Sequence, residues 1–396
     1  MPKRVGFLYE QMVDKDNIRL AIRRGAKGKR KRWDVKDVVA REDVYVEKIH
    51  NLIATDSFVP TKPKQRDVYD PSSQKWRKIN VVPFYPDGIM HQLIVLVMEP
   101  VLMRGMHPWS CASIPGRGGK RALRRAEHII RDDRKGSKYG GELDVKGFYP
   151  SVPLRRLMCA LSRKIKDRKF LLLIAVVLTC YPGGFGAALQ QGERAETIVG
   201  DARGLLIGFY VCQWLANYYL EALDHFTMAQ PGVKYMVRYM DNISIWGPNK
   251  KALHKARRAI AECMEKRLGL VMKSTWQIFP VAKRLFSIVG YRVARGYTIL
   301  RKRNFLRFTR QCRKAQKYIE EDRHIPYKMA AGLLSRIGQL KHCDSHNVRV
   351  KYVDPIGVKI LKEVVKNEGK RRPDAEQRFL YGRAAQSPRL CAGSLL

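Results

Sequence analysis

Two acidic side chains interrupt apolar, β-rich sequence, and they restrict what this chain can fold into. Asp144 lies in Leu143-Asp144-Val145-Lys146-Gly147-Phe148-Tyr149-Pro150-Ser151, and Asp241 in Tyr239-Met240-Asp241-Asn242. A carboxylate at the edge of an apolar strand is costly unless something positive neutralises it. A pair of divalent cations does so, and two ions about 4 Å apart suit displacement at phosphorus.

The charge balance points to a polyanionic partner. Lys and Arg total 77 against 36 Asp and Glu, a formal charge of +41. Charge on that scale destabilises a compact state by self-repulsion unless a polyanion compensates. A hydrophobic fraction of 45% is that of a globular chain rather than a basic tail. With 396 residues there is enough chain for a substantial core and two or three subdomains. Nucleic acid is therefore the expected partner, bound in a strongly salt-dependent way.

Other classes are disfavoured. The longest clean apolar run, Phe170 to Leu178, is too short to span a bilayer and reads as a buried helix. No apolar leader follows Met1 to Arg4, so a cytoplasmic protein without membrane association is expected. The eight cysteines, at 111, 159, 180, 212, 263, 312, 343 and 391, form no close pair, which argues against a zinc ribbon or a disulfide framework. His342, Cys343 and His346 are the one candidate metal cluster, and their spacing suits packing or solvent exposure equally.

Along the chain, the basic cluster Arg23 to Arg32 reads either as a solvated loop or as a phosphate-contacting arm. Tyr69-Asp70-Pro71-Ser72-Ser73 predicts a turn leading into a strand at Lys75 to Val82, which closes a hairpin. A buried helix is expected from Gly88 to Leu102. Pro115 to Lys120 is a Gly-rich loop before a basic helix, without the spacing or the Ser/Thr of a Walker A loop. Leu253, Ala256, Ile260, Met264 and Leu268 share one face of a helix over 252–268, and a single strand is expected to end at Ile288 to Val293. Farther on, Phe305, Phe308, Cys312, Ala315 and Ile319 make an apolar stripe beside a basic one of Arg307, Arg310, Lys314 and Lys317. That basic stripe fits either a solvated helix face or a helix tracking a nucleic-acid backbone. The order of elements suits a split β-α-β unit whose antiparallel sheet is backed by helices.

With these landmarks in this order, the chain resembles the reverse transcriptases over roughly residues 4 to 350. The Asp144 and Tyr239-Met240-Asp241-Asn242 segments are similar to motifs A and C. Gly204-Leu205-Leu206-Ile207-Gly208-Phe209-Tyr210-Val211-Cys212-Gln213 looks like motif B, supported by Ala216 to Leu220 and Leu223 to Phe226, and Leu270-Val271-Met272-Lys273 like motif D. The opening Arg4-Val5-Gly6-Phe7-Leu8-Tyr9, the style of motif B and the short thumb resemble the bacterial and phage enzymes of diversity-generating retroelements. Group II intron enzymes are similar in the palm.

The resemblance implies an α+β right-hand polymerase fold. Its parts would be an N-terminal extension and fingers (1–140), a palm (141–296), a short helical thumb (297–365) and a basic, disordered tail (366–396). It implies an RNA-directed DNA polymerase that uses RNA template, primer and deoxynucleotides with two Mg²⁺ ions, Mn²⁺ substituting, beside a small basic accessory protein. Asp144, Asp241 and the carbonyl of Val145 would hold metal. Tyr149 would be a steric gate against the 2′-hydroxyl, and Lys75, Arg77, Gln213 and Lys273 would contact the nucleotide. Arg307, Arg310, Lys314 and Lys317 would follow the duplex.

Three departures from the family pattern stand out. Asn242 replaces a second aspartate, Val211-Cys212-Gln213 replaces a Ser-Gln pair, and Pro86-Asp87-Gly88 replaces Asp-Arg. Asn242 removes a negative charge from the site. Two further readings therefore stay open: a polymerase fold kept only for nucleic-acid binding, and a template-independent or protein-primed polymerase.

Overall fold

Each helix of the N-terminal region has an apolar face that requires a neighbour. The computed structural model describes residues 3–70 and 75–371. Helices α1 (Leu8–Val13), α2 (Lys15–Ala26), α3 (Trp33–Ala40) and α4 (Glu42–Ala54) come first. The Asp14 carboxylate caps α2 by accepting the Asp16 amide at 2.8 Å, and Ile18, Ala21, Ile22 and Ala26 are buried. Their partner is α5 (Ile89–Met103), which is apolar on nearly all sides and is correspondingly buried. The basic cluster at 23–32 divides. Arg23 and Arg24 pair with Glu42 and Glu99, whereas Lys27 to Lys31 form an exposed turn.

Strands β1 (Lys64–Asp70) and β2 (Lys75–Val81) make the expected antiparallel hairpin, with Lys64 opposite Val81 and Asp70 opposite Lys75. Most of the turn expected at 69–73 lies outside the described residues. The basic helix after the Gly-rich loop is α6 (Gly119–Asp132).

The central sheet has strand order β4-β5-β3-β6: β3 (Tyr139–Asp144), β4 (Tyr235–Tyr239), β5 (Asn242–Gly247) and β6 (Gln277–Pro280), all antiparallel. Alternation of side chains gives the sheet two apolar faces. Leu143, Met236, Ile243, Ile245 and Ile278 point into the larger core. That core is built from α5 and the segment between β3 and β4: α7 (Phe148–Ser151), α8 (Leu154–Ser162), α9 (Arg168–Thr179), α10 (Gly184–Gln190), α11 (Ala195–Val199), α12 (Tyr210–Tyr219) and α13 (Glu221–Met228). The apolar run Phe170 to Leu178 is buried throughout within α9. No helix among the described residues is long and apolar enough to cross a membrane. Helix α14 (Lys250–Cys263) continues through a π-turn, Met264–Leu268, and buries the whole predicted face from Leu253 to Leu268.

The other sheet face offers Val237, Trp246 and Phe279 to a second core, shared with α6 and the C-terminal elements. Where a single strand was expected to end at Ile288 to Val293, the chain instead forms a hairpin, β7 (Phe286–Ile288) and β8 (Tyr291–Val293), joined by β9 (Thr298–Leu300). Val289 and Gly290 have φ of 38° and 87°, and glycine at the second turn position makes that reversal cheap. The Ser287 amide donates to a Glu142 carboxylate oxygen at 2.9 Å and fixes the hairpin over the sheet. Helices α15 (Lys302–Glu320), α16 (Tyr327–Leu340), α17 (His346–Tyr352) and α18 (Val358–Arg371) complete the molecule. Phe308, Cys312 and Ala315 of the predicted stripe are buried, while Ile319 at its end stays 36% exposed. Residues 366–371, at the start of the tail expected to be disordered, are helical, because α18 carries its helical repeat on to Arg371. Residues 372–396 lie outside the described residues.

One glycine joins the β1–β2 hairpin to the body. The Asn80 amide of β2 donates to the Ile207 carbonyl at 2.7 Å. Gly208 has φ +113°, and a Cβ there would lie 2.2 Å from the Asn80 carbonyl oxygen. Gly208→Ala is expected to lose roughly 1–3 kcal/mol of stability and to expose the Asn80 amide to exchange. Urea denaturation with hydrogen exchange checks this, and an unchanged midpoint with a protected Asn80 amide would refute it.

Candidate active site

The sheet brings the two acidic segments together. Asp144 ends β3, and in the β3–β5 register it stands opposite Asn242, the residue after Asp241. Asp241 itself lies in the two-residue turn between β4 and β5. Burial, and next the neighbouring Asp144 carboxylate, push the Asp241 carboxyl above the usual range, while Lys273 opposes the rise. Asp144 Oδ1 is buried without a hydrogen-bond partner, and Oδ2 is paired with the Lys273 ammonium. An orphan carboxylate oxygen beside a second, destabilised carboxyl is a donor set short of positive charge, and a divalent cation fits it.

Lys273 reaches this position because the segment after α14 pairs with the chain leaving β3. The Lys273 amide donates to the Asp144 carbonyl at 2.8 Å, and the Lys146 amide to the Val271 carbonyl at 2.7 Å. Val145, fully buried, sits between these bonds. Asn242 is exposed, and its Nδ2 lies 3.5 Å from Asp241 Oδ1. Among the described residues, no group of three or more His, Cys, Asp or Glu is gathered closely enough to hold a metal ion.

Tyr149 belongs to the same cluster. Burial, with smaller contributions from Cys212 and Asp241, pushes its hydroxyl up to about 12. Its ring packs edge-on to Phe148 at 5.6 Å. Its carbonyl accepts the Leu205 amide at 2.8 Å, and the Gly204 amide donates to Val152 at 2.9 Å, so the glycine loop before α12 lies along the Tyr149 turn. Gln213, half-buried in the first turn of α12, follows that loop.

The remaining candidates stand apart. Arg77 is held by Asp70 through Nε–Oδ2 at 3.1 Å, and Lys75 lies at the turn end of the hairpin, opposite Asp70. Lys75 is five residues beyond docked Asn80, about 17 Å along the strand. Arg310, Lys314 and Lys317 are exposed on α15, and Arg307 is half-buried. Lys302, Arg303, Leu306, Arg307, Arg310 and Gln311 line a groove of about 590 Å³ there.

Directly behind the Asp241 turn lies a polar network that the sequence reading missed. Arg238 and Asp224 are 1% and 0% exposed and form a bidentate pair, Nε–Oδ1 at 2.7 Å and Nη2–Oδ2 at 2.8 Å. Arg238 Nη1 also donates to the Met240 carbonyl at 2.9 Å and to Asn217 Oδ1 at 3.1 Å. The Ser110 hydroxyl donates to Asp224 Oδ2 at 2.5 Å, and Asn217 Nδ2 to the Ala112 carbonyl at 2.8 Å. The available signal was an arginine alone in the apolar strand Tyr235 to Tyr239, which must find a buried carboxylate.

Residues 62–279 match the family described as reverse transcriptase (RNA-dependent DNA polymerase). This chain belongs to that family. The family's right-hand polymerase fold accords with the mixed α+β architecture and the carboxylates at the end of its central antiparallel sheet. Among relatives of this chain, the "Uncharacterized 91 kDa protein in cob intron" of Schizosaccharomyces pombe is 29% identical over 181 residues, 46% of this chain and 20% of that protein. The "Group II intron-encoded protein LtrA" of Lactococcus lactis subsp. cremoris is 23% identical over 224 residues, 57% of this chain and 34% of that protein. The chain thus spans about a third or less of the length of these curated relatives. Among solved structures, apo telomerase from Candida tropicalis has TM-score 0.42 at 12% identity, covering 79% of this chain and 59% of that one. Telomerase from Candida albicans with a fragment of telomeric RNA has TM-score 0.39 at 11% identity, covering 59% and 45%.

Breaking the buried pair should be costly. Arg238→Met leaves Asp224 buried and unpaired, a loss of about 3–5 kcal/mol. Arg238→Met combined with Asp224→Leu should recover most of that loss in thermal melting. Primer extension by the double variant should stay low, because the Met240 carbonyl has lost its donor. A single variant that melts like the natural chain would show that the pair does not hold this region.

Proposed function

We propose that this reverse transcriptase is an RNA-directed DNA polymerase that copies an RNA template into cDNA, within a diversity-generating retroelement. The observation that carries the reading is the Asp144–Asp241 pair, with one buried carboxylate oxygen lacking a partner and one carboxyl pushed up beside it. Asp144, Asp241 and the Val145 carbonyl would hold two Mg²⁺ ions, with Mn²⁺ able to substitute. When bound, the ions would activate the primer 3′-oxygen and stabilise the leaving pyrophosphate.

In this reading the palm is 141–296, preceded by the fingers and followed by a thumb at 297–365. Tyr149, packed on Phe148 and fastened to the 204–205 loop, presents a fixed ring where a ribose 2′-hydroxyl would sit. Gln213 contacts the incoming nucleotide from the first turn of α12. Arg77, released from Asp70, and Lys75 reach the triphosphate if the hairpin bends over the palm. Lys273, already beside Asp144, is the proton donor nearest the leaving group. Arg307, Arg310, Lys314 and Lys317 follow the template–primer backbone. A small basic accessory protein and a cytoplasmic setting belong to the same reading. Asn242 favours a second one, a polymerase fold kept for binding, because it removes a carboxylate from the turn.

Primer extension on an RNA template, in Mg²⁺ and in Mn²⁺, separates these readings. Extension should occur with the natural chain, fall at least about 100-fold in Asp241→Ala, and rise in Mg²⁺ in Asn242→Asp. RNA binding without extension in any variant would favour the binding protein. Synthesis without template would favour a template-independent enzyme.

Tyr149→Ala should admit ribonucleotides by removing the ring that excludes them. Competition between deoxy- and ribonucleotides measures this. Unchanged discrimination would take the gate away from Tyr149.

A further inference from the structure

Helix α6 carries more positive charge than the fold needs. Between Arg117 and Arg131 there are six Lys or Arg residues and one carboxylate, Glu127. Its apolar side, Ala122, Leu123, Ala126, Ile129 and Ile130, is buried against β4, β7 and β8. Lys120, Arg121 and Arg124 are exposed on the opposite side. The nearby acids are engaged elsewhere. Glu127 accepts the Thr298 hydroxyl at 2.7 Å, and Asp132 pairs with Arg131 and His128. Among the described residues, no carboxylate forms an ion pair with Lys120, Arg121 or Arg124.

The surface is also shaped and held in place. The Arg125 guanidinium lies 4.3 Å from the Trp109 ring centre, and that of Arg121 at 5.1 Å. Arg117 Nη1 donates to the His107 and Ser110 carbonyls at 2.7 and 3.2 Å. A hollow of about 550 Å³, lined by Trp109, Arg117, Lys120, Arg121 and Arg124, runs along one flank of the helix. Another of about 360 Å³, lined by Lys120, Arg124, Arg131, Arg295 and Lys341, runs along the other. Lys120 and Arg124 line both, forming a cationic ridge between two basic hollows.

We propose that this outer face of α6 is a second RNA-binding surface, separate from the polymerase cleft, that grips the phosphate backbone of structured RNA. Arginines stacked on an aromatic ring suit phosphodiesters, and here Arg121 spends only Nη2, on the Pro108 carbonyl at 3.4 Å. An acidic protein partner would need an apolar centre to its interface, which this ridge lacks. The face is turned away from the sheet side of α6. Its first turn nevertheless lies near the active site, since a Cβ on Gly119 would be 3.9 Å from the Tyr239 ring. RNA held here can therefore continue towards Asp241. Only the naming of that RNA as the template rests on the proposed polymerase activity.

The test uses the full chain preloaded with a short primer–template, and a labelled stem-loop RNA lacking a recessed 3′ end. The preloaded chain should still capture the stem-loop. Lys120→Ala/Arg121→Ala/Arg124→Ala should weaken that capture and reduce its salt slope by about 2 to 3, at roughly 0.7–0.9 for each lost phosphate contact. All three positions are exposed and helical, so alanine favours the fold. Binding of the short primer–template should be unchanged in the triple variant. Arg310→Ala/Lys314→Ala, on α15, should show the reverse pattern. Failure of the preloaded chain to capture the stem-loop, or an unchanged salt slope in the triple variant, would overturn the proposal. So would equal weakening of both ligands, which would place α6 in the cleft. Because each readout is binding, the result is independent of whether the chain polymerises.

Discussion

The turn that carries Asp241 depends on a salt bridge sealed inside the protein. Met240, beside Asp241, has φ +56°, a left-handed conformation that a non-glycine residue adopts at a cost. Arg238 offsets that cost by donating to the Met240 carbonyl while two more of its nitrogens grip Asp224. Asp224 comes from α13 and Asn217 from α12, and Ser110 from the segment before the Gly-rich loop. One buried guanidinium thus ties three remote parts of the chain to a single carbonyl. A buried pair seldom adds net stability over well-packed apolar groups, but it tolerates very little displacement. Placement is what two facing carboxylates require.

The same logic explains the crowding at the site. Asp241 is pushed up by burial and by Asp144, so the fold holds the pair against its own electrostatics. Lys273 partly offsets this because the segment after α14 is bonded to both sides of Val145. The site is therefore positioned by backbone pairing on one side and by the Arg238 network on the other. Both supports are bonds between groups of the protein itself, which is the sense in which the site is preorganised.

Much of this was legible because it follows from local patterning. Strand–turn–strand around Asp241, the buried α9 run and the apolar face of α14 all come from periodicities of two or 3.6, which burial enforces. Two elements were misread where local sequence competes with a turn or an end. Val289 is β-branched and suits a strand, yet Gly290 beside it accepts positive φ and reverses the chain. Beyond Lys366 the polar composition suggested no structure, but α18 adds another turn and a half before leaving the described residues. The Arg238 network was invisible for a different reason. Its partners are far apart in sequence, and only the completed sheet and helices bring Asp224, Asn217 and Ser110 within reach. Lys75 and Arg77 show the converse: their hairpin was found, but its distance from the carboxylates depends on where Asn80 docks.

Asn242 is most simply understood through charge. It faces Asp144 across the β3–β5 register, and its amide points towards Asp241. A carboxylate at that position would add a third negative charge to a cluster in which Asp241 already resists ionisation. An amide supplies a weakly polar neighbour instead and lowers the repulsion that Lys273 must balance. The exchange also narrows what the turn can offer a cation, to one oxygen dipole in place of one full charge. The natural chain therefore sits where the carboxylate pair is easier to hold together and any bound cation is held less firmly by the turn. That balance differs from the positive surfaces on α6 and α15, which face solvent and lose strength in salt. A partly buried pair is screened much less, so salt should weaken the grip on nucleic acid well before it disturbs Asp144 and Asp241.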